Sequence, residues 1–243
     1  MVERLLRWRL LSPNRSVRLL AVDPDANLVT AAARQLRTLP PRWRIEFDVA
    51  SLAELAERSS GQFDFVIAHH LLDLLPLSSA VADLLRLLRP GGVFWATLNF
   101  DGLTEWFPPL ALDRTIGAAY HASMDQPDEQ RSQTGRRLLA ALGAAGAQLG
   151  AIGSSDWVIA AREGGYTADE LVVLETMLEF HRQATAAAVG LTAFERWLVE
   201  RQRQIAAGEL VLIVHQLDVA GRAPASGSTV QPVGARRAAS RAR

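Results

Sequence analysis

The sequence predicts an α/β fold built on a mostly parallel sheet, and three features carry that expectation. Short runs dense in Val, Ile, Leu and Phe, at residues 17–22, 43–47, 63–70 and 93–100, alternate with stretches long enough to be helices. The run at 71–88 repeats its apolar residues with a 3.6-residue rhythm, so residues 62–100 form a strand, helix, strand unit with parallel strands and a right-handed crossover. Between helix and strand stands Arg89-Pro90-Gly91-Gly92, where Pro90 cannot continue a helix and Gly91 accepts a positive φ. The two flanking strands are near-continuously apolar, which suits burial on both faces.

Taken in order, residues 1–11 place Val2, Leu5, Leu6 and Leu10 between arginines, the pattern of an amphipathic helix already under way. Ser12-Pro13-Asn14 ends it. A strand at 17–22 closes on Asp23, and a helix follows from about 26 to 39. A strand at 43–47 closes on Asp48, and 52–58 is helical. Beyond Phe100, the segment 101–109 leaves the carboxyl end of a strand, where open α/β sheets place their ligand crevice. Residues 112–125 form a helix or loop, and 126–134 is a polar connector. The expected remainder is a helix over 135–149, a strand over 154–161, a helical insertion over about 166–207 and a closing strand over 210–217. One domain, 1–220, is thus followed by a tail, 221–243, that lacks acids and periodicity and is expected to be disordered.

Composition narrows the chemistry. With 243 residues, 49% apolar, and no run of 18 or more apolar residues, the chain reads as a globular protein without a membrane span, cytoplasmic by default. No cysteine is present, which excludes disulfides, thiolate metal sites and cysteine nucleophiles. All 26 basic residues are arginine, balanced by 26 acids, so no net field attracts nucleic acid or anionic lipid. No His/Asp/Glu cluster has metal-ligand spacing, and no Gly-x-Ser-x-Gly elbow or P-loop occurs.

A strand opening Phe63-Asp64-Phe65-Val66, a helix ending Leu87-Leu88-Arg89-Pro90-Gly91-Gly92 and the apolar strand after it resemble the fourth and fifth strands of class I S-adenosylmethionine-dependent methyltransferases. The resemblance covers about residues 1–161 and loosely the closing strand. It implies a Rossmann-like sheet, mostly parallel, with an antiparallel strand near the C-terminus. It also makes Asp23, followed by Pro24, the carboxylate that would accept from the two ribose hydroxyls. Asp48 with Val49 matches the adenine edge, and Ala68 and His69 line the cofactor at the end of the next strand. Each acid is equally an ordinary residue at a strand-to-helix turn, often an N-cap. One element of the family is missing. The glycine-rich turn belongs roughly 20 residues before the ribose acid, and the first glycine is Gly61. The sequence therefore resembles the domain entered midway through its first helix, lacking the first strand.

Methyl transfer asks the protein mainly to position the reactants, plus a base where the acceptor must lose a proton. Candidates for that base are His69, His70, Tyr120 and His121. Arg136, Arg137, Asp156 and Trp157 could line a pocket, and His215 reads as a core histidine. Ala68-His69-His70-Leu71 lacks the Asn/Asp-Pro-Pro-aromatic signature of amino-group methyltransferases, which leaves a small-molecule acceptor ahead of nucleic acid. The resemblance thus implies a small-molecule methyltransferase using S-adenosylmethionine, with a homodimer left open. The alternative is a methyltransferase-like scaffold that has lost catalysis; a nicotinamide enzyme is disfavoured by the Pro-Gly-Gly strand.

Overall fold

The computed structural model describes residues 5, 7, 12–36, 39–127, 130–163 and 165–225. Of the expected helix over 1–11 only Leu5 and Arg7 fall within these, both helical, with Leu5 buried; the tail beyond residue 225 lies outside them.

In chain order the elements are β1 (Val17–Asp23), α1 (Ala26–Gln35), β2 (Trp43–Val49), α2 (Leu52–Arg58), β3 (Phe63–His69), α3 (Leu77–Leu87), β4 (Leu88–Thr97) and β5 (Thr104–Phe107). There follow α4 (Asp113–Met124), α5 (Thr134–Ala144), β6 (Gln148–Ser154), β7 (Trp157–Ala160), α6 (Ala168–Val189), α7 (Leu191–Ala206), β8 (Val211–Val214) and β9 (Leu217–Arg222). They form three sheets: β1-β2, β3-β4-β9-β6 and β5-β8-β7.

The first two sheets make the α/β body. β1 and β2 are parallel, as are β3 and β4, while β9 runs antiparallel to both of its neighbours. Strands β3, β4 and β6 therefore point one way and β9 the other, the expected mostly parallel sheet with a late antiparallel strand. Among the described residues no ladder joins β1 to β3. A small apolar cluster bridges them, with Leu55, Ala56 and Leu87 against Leu20, Val22, Phe63 and Val66.

The main core lies on one side of the four-stranded sheet, where Ala68, Phe94, Ala96 and Val219 meet Leu84 of α3 and Leu138 and Leu142 of α5. On the other side Ile67, Trp95 and Ala220 stay half-buried, so the expectation of burial on both faces is corrected. The third sheet packs with α4, α6 and α7 around Trp106, Leu174, Phe194 and Trp197, forming a cover.

Several sequence boundaries shift. The Pro-Gly-Gly turn is absorbed into β4 as an irregularity: Leu88 pairs with Phe63 and the ladder resumes at Val93 opposite Phe65. The helix over 135–149 stops at Ala144, because Gly146 takes φ +78° and the Ala147 amide returns to the Leu142 carbonyl at 3.0 Å, a helix-ending geometry suited to glycine. The strand expected at 154–161 is β7, in the cover, and β6 of the main sheet, ending at Ser154, was not expected. The single closing strand at 210–217 divides into β8, in the cover, and β9, the antiparallel member. β9 continues through Gly221 and Arg222, two residues into the expected tail. Glycine is required at 221: a β-carbon would stand 2.5 Å from the Gln148 carbonyl oxygen and 2.6 Å from the Phe94 ring.

Candidate active site

Strand alternation fixes which tips face the crevice. Leu20 and Val22 of β1 point into the cluster under α2, so Asp23 points to the opposite side. Val49 is its ladder partner and shares that side, half-exposed at 50%. Asp48 pairs with Val22 and faces α2, where Arg58 holds its Oδ2 in an ion pair. On β3, Ala68 is buried in the core, so its side chain is turned away and only its backbone borders the crevice. His69 is on the Asp23 side, in a row that crosses the sheet: His69 opposite Thr97, Thr97 opposite Asp218, Asp218 opposite Gly153.

The Asp23 carboxylate closes a local turn, accepting from the Asp25 amide through Oδ1 at 2.8 Å. Its other oxygen remains available to a ligand. Pro24 is exposed between Asp23 and Asp25, the N-cap of α1. A group with vicinal hydroxyls and a flat apolar ring fits here, the hydroxyls on Asp23 and the ring beside Val49. Asp48 fits an adenine amino group less well, because Arg58 already engages it. No described glycine precedes Gly61, so the residues present suit the adenosine half of S-adenosylmethionine and offer no glycine cradle for its amino acid half.

His69 and His70 are the sequence candidates that lie against this row. His69 Nδ1 is 2.6 Å from Thr97 Oγ1. His70 has φ +52°, the single described non-glycine residue in the left-handed region, and its amide donates to the Thr97 carbonyl at 2.9 Å. That conformation breaks the strand alternation and brings the two imidazoles to 3.9 Å. Asp218 stands on the far side of Thr97 in the same row. Burial pushes its carboxyl up, partly opposed by the Ser155 hydroxyl and the His70 imidazole.

Tyr120 and His121 sit on α4 in the cover. They flank Phe100, with ring centroids at 6.5 Å and 5.0 Å, and Tyr120 stacks on His181 at 4.1 Å. Burial raises the Tyr120 phenol and lowers the His121 imidazole, the latter partly offset by Asp125. Beneath them lies a polar lattice missed in the sequence. Fully buried Arg201 pairs with Asp113 and donates to the Pro108 carbonyl at 2.7 Å and to Gln204 at 2.6 Å, while the Trp197 indole donates to Asp113 at 2.7 Å.

The remaining sequence candidates are anchored elsewhere. Arg136 donates to buried Asp101 through its backbone amide and Nε, at 3.2 and 3.0 Å, which ties α5 to the strand tips. His215 lies past the end of β8, not in the core, with Nδ1 2.8 Å from Asp156; Trp157 is exposed. Among the described residues no group of three or more His, Asp or Glu side chains could hold a metal ion, and no helix is long and apolar enough to cross a membrane.

Residues 7–96 match a methyltransferase domain family. Over 81 residues the chain is 32% identical to a demethylmenaquinone methyltransferase of Leptospira interrogans, covering 33% of this chain and 31% of that protein. Over 92 residues it is 35% identical to a ubiquinone biosynthesis O-methyltransferase of Dechloromonas aromatica, covering 37% of each. The matched stretch thus spans about a third of these relatives. Among solved structures, a Bacillus halodurans C-125 protein provisionally assigned as a methyltransferase superposes with a TM-score of 0.53 at 13% identity, over 92% of this chain and 98% of that one. A Methanosarcina mazei SAM-dependent methyltransferase gives 0.50 at 9% identity, over 90% and 97%. The fold is the Rossmann-like one of class I methyltransferases.

Proposed function

We propose that this chain, which matches a methyltransferase domain family over residues 7–96, moves a methyl group from S-adenosylmethionine to a small molecule. The observation that supports the reading is that Asp23 and Val49 end the parallel pair β1-β2 and His69 ends β3, parallel to β4, all within the stretch matched to the family. When bound, S-adenosylmethionine supplies an activated methyl group on a sulfonium that is already a good leaving group.

The chain's own residues supply placement. Asp23 accepts from the ribose hydroxyls, Val49 packs on the base, and the backbone at Ala68 and His69 closes the inner wall. The cover, built on Trp106, Trp197 and Arg201, shields the acceptor end from water. The names of the two relatives, a demethylmenaquinone methyltransferase and a ubiquinone biosynthesis O-methyltransferase, favour a small ring-bearing acceptor over nucleic acid.

Equilibrium dialysis against radiolabelled S-adenosylmethionine tests the reading. Saturable uptake displaced by S-adenosylhomocysteine is expected; no saturable uptake would leave a scaffold without catalysis.

A further inference from the structure

We propose that Gln216 and Asp218 form a subsite for the methyl acceptor, taking a small molecule that presents a carbonyl oxygen to Gln216 and a hydroxyl to Asp218. The inference rests on the methyltransferase reading above and adds to it the class of acceptor.

Strand alternation puts the two side chains on one face. Val219 lies in the main core, and Leu217 meets α5, where a β-carbon on Gly135 would stand 2.9 Å from the Leu217 Cβ. Gln216 and Asp218 therefore point to the opposite face, the side of His69 and Thr97. The ladder reaches Gln216, whose carbonyl accepts from the Ser155 amide at 3.3 Å. Side chains two residues apart on a strand are rooted about 7 Å apart, a span that a small ring with an oxygen at each end can bridge.

Each side chain has an unpaired end. Gln216 is 2% exposed; its Oε1 accepts from the Ser155 hydroxyl at 3.4 Å, and its Nε2 is buried with no acceptor among the described residues. The Ser155 bond fixes which end of the amide is committed, so the unpaired end is a donor. Asp218 Oδ1 is buried with no donor among the described residues, so the second unpaired group is an acceptor. Buried polar atoms without partners are costly, and one ligand carrying an acceptor and a donor relieves both. A hydroxyl is the neutral donor that suits a carboxyl already pushed up by burial. Asp73 Oδ1 is also unpartnered, but it belongs to the turn after β3, where the other oxygen accepts the Asn99 amide at 3.2 Å.

Room for the ligand lies at Gly153. This residue is the ladder partner of Asp218, shares its face and is exposed, and a β-carbon built there would meet no atom within 4 Å. Its φ lies outside the left-handed region, so the backbone makes no demand for glycine. A larger side chain would occupy the space beside Asp218.

The test uses the full chain and 4-hydroxyacetophenone, with acetophenone lacking the hydroxyl and phenol lacking the carbonyl. Heteronuclear NMR titration is expected to show saturable movement of the Gln216 side-chain amide, with affinity about tenfold or more lower for either smaller probe. Gly153→Val, which fills open space without strain, should weaken 4-hydroxyacetophenone about tenfold or more with the circular dichroism unchanged. Gln216→Ala should bind 4-hydroxyacetophenone no better than phenol. An unmoved Gln216 amide, equal affinity for the three probes, unchanged binding by Gly153→Val, or a preference over phenol that survives Gln216→Ala would each overturn the subsite and leave water as the partner of these groups. Absent S-adenosylhomocysteine binding by the parent, measured by calorimetry, would instead overturn the methyltransferase reading, and the probe series would still decide the subsite.

Discussion

The limb formed by β1, β2 and α1 and the cover formed by β5, β7, β8, α4, α6 and α7 are built by different means. Neither α1 nor β1 contains a fully buried residue, and Leu28 stands largely exposed on α1. A single seven-pair parallel ladder and the thin seam around Leu55 and Ala56 hold the limb. The cover, by contrast, buries Trp106, Phe194 and Trp197 around Arg201 and His181, both with no exposed surface. Two-stranded units are marginal by themselves, so the limb that carries Asp23 depends on its surroundings, while the cover is fixed by its own interior. A ligand bound at Asp23 would therefore have most to stabilise where the chain is least packed.

Damage to the cover should be the most costly. Arg201→Ala removes the cation paired with Asp113 and leaves a mostly buried charge with only the Trp197 indole and the Leu110 amide as donors, a change of roughly 3–5 kcal/mol. Urea unfolding of parent and variant measures it, and a loss below about 1 kcal/mol would erase the contrast between the regions.

A pH effect of somewhat smaller size belongs to the same interior. Burial, joined by the His121 and Arg201 charges and opposed by the Met177 carbonyl and Asp113, lowers the His181 imidazole from 6.5 to about 4. Between those values the unfolded chain binds a proton that the folded chain refuses. Stability from this residue is thus complete above pH 6.5 and declines as pH falls toward 4, by up to about 3 kcal/mol. The difference in unfolding free energy between the parent and His181→Phe, followed over that range, should show the decline; a pH-independent difference would contradict it.

The smallest expected effect lies at the base of the limb. Ser51 caps α2, accepting from the Glu54 amide at 3.3 Å while Glu54 returns to the Ser51 amide at 2.8 Å. Ser51→Ala should cost about 1 kcal/mol, and hydrogen exchange should show the loss confined to α2 and the β1-β2 pair. Protection lost equally in the cover would mean that the two regions unfold together.

How much of this was legible depended on whether local sequence or distant partners set the structure. The runs ending at Asp23, Asp48 and His69 announced β1, β2 and β3, because continuous apolar residues followed by an acid or histidine mark a strand tip. The helical insertion over about 166–207 was legible, and α6 and α7 fill it. β6 was not: Gln148–Ser154 contains two glycines and lies at a half-exposed sheet edge, where few apolar residues are demanded. Gly221 looked like the start of a tail because its reason, the Phe94 ring, lies more than a hundred residues upstream. The engagement of Asp48 by Arg58 and the Arg201–Asp113 pair arise from tertiary contacts that no spacing rule encodes. Asp218 had one faint signal, a lone acid in the otherwise apolar stretch from 217 to 220.

The central claim is that the carboxylate ending β1 holds the sugar of an adenosyl ligand. Calorimetric titration of S-adenosylhomocysteine into the parent chain and Asp23→Ala tests it most directly. Loss of a charge-assisted hydrogen bond should weaken binding by roughly 10- to 100-fold with the circular dichroism unchanged. Equal affinity in the two proteins would contradict the account.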